Sequence, residues 1–198
     1  MAKIVSKKNK SADVVIHLVH AKDLKKLNLS KDLNSFVQQE FAAKRNLVFL
    51  PSTLHAEYVQ CADIDWNAKG KESARKWGVE IQQVINRLKK KTLMIVNHTL
   101  NNEISYCVAE GAALSNYQFL KYRSDRKKKQ NSFENIFVQN ANEKGTELQE
   151  LMGIVEGTEL ARTLINEPVS FLNAPQFAKE MQAAGKKAGF KTQVLNKK

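Results

Sequence analysis

A chain of 198 residues with 42% hydrophobic, 26% charged and 8% aromatic side chains carries enough apolar material for a packed core and is not disordered by composition, and its length fits one domain or one and a fraction. Its net charge is +12, but residues 1–31 carry +6 and residues 168–198 carry +5, which leaves 32–167 near neutral at +1 and weakens a simple basic-domain reading. No run of ~18 apolar residues occurs, and the basic N-terminus lacks the ~7–15-residue apolar stretch of a signal peptide, so a soluble, cytoplasmic protein is expected.

The first element is a strand over residues 13–19, a β-branched apolar run expected to be buried on both faces. After the polar group Ser30, Lys31 and Asp32, the recurrence of Leu33, Phe36, Val37 and Phe41 predicts a helix. Strands follow at 47–50, stopped by Pro51, and at 58–61. Ala74, Trp77, Gly78, Ile81, Val84, Ile85 and Leu88 then form one apolar stripe, with Lys71, Glu72, Arg75, Glu80 and Arg87 elsewhere on the helix. Lys89, Lys90 and Lys91 suit the negative end of its dipole. Residues 92–96 read as a strand, 103–122 as a helix, 133–138 as a strand and 143–166 as a helix ended by Pro168. Asn173 as N-cap and Pro175 in the first turn open a last helix ending near Gly189. Residues 190–195 read as a closing strand. Strand and helix alternate throughout, which predicts an α/β layered fold with helices flanking a mixed or parallel sheet.

Few residues offer chemistry. Cys61 and Cys107 form no CxxC and lie in apolar stretches where a reduced, buried thiol is the ordinary outcome. His17, His20, His55 and His98 make no HExxH pattern, and His17 and His98 read as core or rim residues of strands. Asp63 and Asp65, two apart after a strand, offer two carboxylates where an oxygen-ligated metal wants more. Gly185, Lys186 and Lys187 lack the rest of a phosphate loop. Gly153 and Gly157, within a helical pattern, read as permitting close packing against another element. Arg123 with Arg126, Lys127, Lys128 and Lys129 is the densest charge cluster; such a run either neutralises phosphates or is a solvated loop. It forms a candidate nucleic-acid or interaction patch.

The stretch from Glu110 and Gly111 through Asn116, Tyr117, Phe119 and Tyr122, continuing into the basic run and the 133–138 strand, resembles the leucyl aminopeptidase (cytosol aminopeptidase) family. So does a second block, Gly157 to Pro168, with its Ala161, Arg162, Leu164 and Asn166. Asn173, Ala174 and Pro175 are similar to the opening of that family's catalytic domain, with Ala174 where a threonine is usual. The resemblance is strong over 103–195 and weak before it.

The resemblance implies a macro-domain-like α/β domain over 1–144, a connecting helix over 145–167 and a truncated first segment of the catalytic domain over 168–198. It also implies a parent metallopeptidase, assembled as a hexamer, that removes N-terminal residues from peptides with two divalent ions, zinc or manganese. The ligands and catalytic groups of that family come from segments beyond the αβ unit at 168–198, so no catalytic or metal residue and no cofactor is expected in this chain. The expected partners are its own catalytic domain and further copies of the chain. The alternatives are a macro-like binding module for a nucleotide-type ligand or nucleic acid, and a complete small enzyme, which the missing acid/base or metal cluster argues against.

Overall fold

The computed structural model describes residues 2–5, 11–51, 56–139 and 146–195. It divides into two compact units, Met1–Val155 and Glu156–Lys198.

The first unit is built on a six-stranded sheet. The strands are β1 (Lys3–Val5), β2 (Val14–Val19), β3 (Leu47–Leu50), β4 (Ala56–Cys61), β5 (Thr92–Asn97) and β6 (Asn135–Val138), in the spatial order β1-β6-β5-β2-β4-β3. Every pairing is parallel except β3 with β4. The expected class is therefore found: a mixed, mostly parallel sheet flanked by helices. β2 is central, and all its residues but His17 are buried, as a strand covered on both faces requires.

One face of the sheet carries α2 (Ala68–Arg87) and α3 (Glu103–Ser115), together with the start of α5 (Thr146–Asn166). Ile16, Leu18, Leu93, Ile95 and Ile136 of the sheet meet Ala74, Ile81, Ile85, Val108 and Leu151 of these helices in one core. The predicted stripe on α2 is the buried face, apart from Leu88, which is the C-cap and 42% exposed. The other face packs Val19, Val48, Leu50 and Val59 on Val37 of α1 (Lys31–Ala42) and on Leu24 of a 3-10 helix, Ala21–Leu27. Ser30 caps α1 by accepting from the Leu33 N–H, the role its type favours.

Between α3 and β6 lies a buried amide cluster. Asn116 Oδ1 accepts from Gln82 (3.1 Å), Asn86 (3.0 Å) and Asn131 (2.9 Å), while Asn116 Nδ2 donates to the Phe133 carbonyl at 3.0 Å. This corrects the expected helix over 103–122, which stops at Ser115. Asn116 is the C-cap of α3, and its side chain joins α2 to the residues before β6 at the point where the chain leaves the helix. The basic run is a single exposed helical turn, α4 (Arg126–Lys129), rather than an irregular loop. β1 and the 3-10 helix have no counterpart in the sequence reading. His55 and the expected helix start at Glu143 lie outside the described residues.

The second unit contains the C-terminal part of α5 and α6 (Ala174–Ala188). As expected, Asn173 accepts from the Gln176 N–H at 3.0 Å, a proline sits in the first turn, and Gly189 ends the helix at φ 84°, a left-handed conformation that glycine tolerates. The expected strand over 190–195 is not formed. The Phe190 N–H donates to the Gly185 carbonyl at 3.0 Å, and its ring lies over Gly185, so the segment folds back on α6 with no partner strand among the described residues. A further correction concerns Gly153 and Gly157: a methyl at either would meet open space, so neither serves close packing. That role falls to Gly78 and Gly111.

Candidate functional site

In a parallel sheet the strands end on a common edge, and a crevice opens where the chain reverses its direction of travel across the sheet. Here the chain moves from β2 outward to β3 and β4, then returns through α2 to β5 on the far side of β2. The C-terminal ends of β2, β4 and β5 therefore converge. They deliver His20 after β2, Asp63 and Asp65 after β4, and His98 to Asn101 after β5.

Two adjoining hollows occupy this edge. The larger, about 580 Å³, is lined by His20, Asp63, Asp65, Lys69, Gly70 and Ser73; the smaller, about 520 Å³, by His20, Lys22, Asp23, Lys26, Leu100 and Asn101. His20 borders both. Asp63 orients it: Asp63 Oδ1 lies 2.9 Å from His20 Nδ1, and its Oδ2 accepts from the Ala21 N–H at 3.2 Å and from Cys61 Sγ at 3.6 Å. Burial pushes the Cys61 thiol up, and the charge of the Asp63 carboxylate beside it acts in the same direction, which disfavours the reactive thiolate. Cys61 is half-buried where a buried thiol was expected, and Cys107 is buried; both are free. Asp63 and Asp65 both line the larger hollow, but Asp63 is engaged by three donors.

A histidine pair lies beside the smaller hollow, whose Lys26 donates to the His98 carbonyl. His17 Nδ1 and His98 Nε2 are 3.0 Å apart, and His17 Nε2 is 4.0 Å from a Glu57 carboxylate oxygen. Burial pushes His98 down, and the nearby Lys26 ammonium adds to it. No sequence pattern marks these pairings, since His17 and His98 are 81 residues apart and His20 and Asp63 are 43 apart.

The predicted patch sits elsewhere. It precedes β6 and so lies toward the N-terminal edge of the sheet, away from the crevice. Arg123 is held by Asp125 through two bonds, 2.8 and 2.9 Å. Arg126, Lys127, Lys128 and Lys129 are exposed. Gln118 fixes this segment by donating to the Lys129 carbonyl and accepting from the Asn131 N–H. Tyr122, 55% exposed, lies beside Lys121 and Phe119, an aromatic neighbour absent from the charge-run reading.

No protein-family profile matches the chain. A "Probable cytosol aminopeptidase" of Clostridium perfringens (strain 13 / Type A) is 35% identical over 136 residues, which cover 64% of this chain and 27% of the relative. One of Aquifex aeolicus (strain VF5) is 25% identical over 204 residues, covering 97% of this chain and 41% of the relative. A solved structure of a tomato leucine aminopeptidase mutant superposes with a TM-score of 0.61 over 96% of this chain and 43% of that one, at 13% identity.

The layered sheet is thus the fold of a leucine aminopeptidase domain. In sequence the chain is similar to cytosol aminopeptidases, in agreement with the resemblance read from its residues, and it spans about two fifths or less of the length of these two curated relatives. Among the described residues no group of three or more His, Cys, Asp or Glu side chains is placed to hold a metal ion. Among the described residues no donor set fits the two divalent ions that the resemblance implies for a parent enzyme. Among the described residues no helix is long and apolar enough to cross a membrane.

Proposed function

We propose that this chain is the N-terminal, non-catalytic part of a leucyl-aminopeptidase-like metallopeptidase that removes N-terminal residues from peptides, and that it serves assembly and access to the active site. The observation that carries this reading is the alignment along 97% of this chain that uses only 41% of the Aquifex relative. More than half of the relative is left for the catalytic work. In this reading 1–144 is the macro-domain-like α/β domain, 145–167 the connecting helix and 168–198 the first segment of the catalytic domain. The parent is a cytoplasmic hexamer with two zinc or manganese ions in its second domain. The second unit supports the reading: Ile165, Val169, Phe177, Phe190 and Leu195 are 46–85% exposed, an apolar display that a further domain would cover.

The test is a comparison of two proteins, this chain alone and the product of the reading frame extended past Lys198, assayed on leucine amide with zinc or manganese. Chelator-sensitive turnover by the extended protein only is expected. Turnover by this chain alone would overturn the non-catalytic role, and none by either would overturn the parent activity. A second reading, a binding module for a nucleotide-type ligand, is favoured by one observation, the polar crevice at the strand ends where such folds take ligands.

A further inference from the structure

His17 is the fourth residue of β2 and lies in register between Val59 of β4 and Val96 of β5. His98 follows β5, and its N–H donates to the Leu18 carbonyl at 2.9 Å, which carries the β5 to β2 pairing one residue further. The two rings meet nearly end to end, with centroids 5.2 Å apart and planes 29° apart. Two imidazole nitrogens 3.0 Å apart form a bond only when one carries a hydrogen and the other a lone pair. Among the described residues, the charged groups set against the pair come from two packed elements. Glu57 of β4 faces His17 Nε2, and Lys26 of the 3-10 helix donates to the His98 carbonyl at 3.0 Å and to Asp23 at 3.1 Å. His20, just past the end of β2, is turned to Asp63.

We propose that the His17–His98 pair is a proton-operated latch on the smaller hollow: it holds the His98 loop and the 3-10 helix against the sheet while one or no extra proton resides on the two rings, and releases them when both rings are charged. The first proton, taken from solvent, goes to His17, because Glu57 faces its Nε2. His17 then donates Nδ1–H to the His98 Nε2 lone pair, and the bond survives. The second proton can only go to His98 Nε2. Two N–H groups then point at each other across 3.0 Å, the bond is lost and two like charges replace it. Lys26 adds a third positive charge, and burial opposes charge on His98 in any case, which keeps the latch shut at neutral pH.

The displaced loop moves as a unit. Asn97 Nδ2 donates to the Asn101 carbonyl at 2.8 Å, and Thr99 Oγ1 donates to Asn97 Oδ1 at 2.8 Å. This tied turn presents Leu100, 99% exposed, and Asn101 at the rim of the smaller hollow. Release of His98 also removes the acceptor that positions Lys26 on the opposite rim. The latch therefore couples two protonations to the shape of one compartment, a bistable element biased by charge.

The test is a ring-nitrogen NMR titration of the full chain from pH 8 to pH 4, read together with the backbone amides of Leu100, Asn101 and Lys26. Two macroscopic steps are expected for the pair, and the amides should move with the lower one. In His17→Gln, which keeps a hydrogen-bonding side chain without the charge, the His98 midpoint should rise by about one pH unit or more, and the amide movements should rise with it. An unchanged His98 midpoint, or amides that follow neither step, would overturn the latch. Glu57→Gln, at a partly exposed site, guards against a misfolded His17 variant: it should lower the upper midpoint, and an unmoved upper midpoint would equally overturn the proposal.

Discussion

Gly78 of α2 and Gly111 of α3 lie against each other where the two helices cross. A methyl built on Gly78 would overlap the Val108 carbonyl oxygen and stand 2.6 Å from the Ala112 nitrogen, and one on Gly111 would overlap the Arg75 carbonyl. These obstacles are backbone atoms and cannot turn aside. The approach also sets the Arg75 guanidinium 2.8 Å from the Glu110 carboxylate across the same interface.

Gly78→Ala and Gly111→Ala should each therefore destabilise the first unit by about 1–3 kcal/mol through forced separation of the helices. Gly153→Ala, whose methyl meets open space in α5, should instead be neutral or stabilising by up to ~1 kcal/mol, since alanine favours helix over glycine. Urea unfolding of the three variants checks the opposite signs.

Asn116 is 2% exposed and ties α2 to the residues before β6. Asn116→Ala leaves donors of Gln82, Asn86 and Asn131 and the Phe133 carbonyl without it, and should cost about 2–3 kcal/mol. Asn131→Ala, nearer the surface, should cost less. Equal costs in a denaturation series would show that Asn116 is not the hub.

Asp13 supplies a pH dependence. Burial pushes its carboxyl up, but the bonds it accepts from the Lys91 N–H and from the hydroxyl and N–H of Thr92, with the Lys90 charge, outweigh burial and hold it below the usual carboxylate range. The folded chain thus gives up this proton more readily than the unfolded one. Its stabilisation is complete above the unfolded value of about 3.9 and is lost as pH falls through the lower folded value. Asp13→Asn should be less stable than the unsubstituted chain by roughly 1–2 kcal/mol at pH 7, and the gap should start to narrow once pH falls below about 4. Chemical denaturation at pH 7 and pH 3 measures both ends.

Any binding of DNA by the exposed turn Arg126–Lys129 should be non-specific and steeply salt-dependent. Neutralising Arg126, Lys127, Lys128 and Lys129 together should flatten the plot of log affinity against log salt by about 0.9 for each phosphate that the turn had neutralised. An unchanged slope would assign the binding to the Lys-rich ends. Arg123→Gln should matter less, because Asp125 already holds that guanidinium.

The second unit should be the least protected part of the chain. Phe177, Met181, Phe190 and Val194 are 39–57% exposed, and little burial offsets an ordering cost of roughly 1–2 kcal/mol per residue. Fast amide exchange is expected over 176–195 in a monomeric sample. Slow exchange there would argue that the segment is self-sufficient and needs no further domain.

Local pattern was enough wherever neighbours along the chain decide the outcome. The α2 stripe from Ala74 to Ile85, the buried run of β2, the Ser30 and Asn173 caps and the Gly189 stop were all legible, because period, capping and backbone freedom act within a turn or two. The resemblance to leucyl aminopeptidases was legible as well, in Glu110 to Tyr122 and Gly157 to Pro168. Tertiary structure alone decided what depends on partners far along the chain. α3 ends at Ser115, where the Asn116 amide is bonded to Gln82, Asn86, Asn131 and Phe133 from distant parts of the chain. Residues 190–195 have strand composition but no strand beside them, and a strand has no internal hydrogen bonds to form on its own. His17 meets His98, and His20 meets Asp63, only because the return of the chain through α2 brings the ends of β4 and β5 to either side of β2, a juxtaposition that no spacing within the sequence encodes.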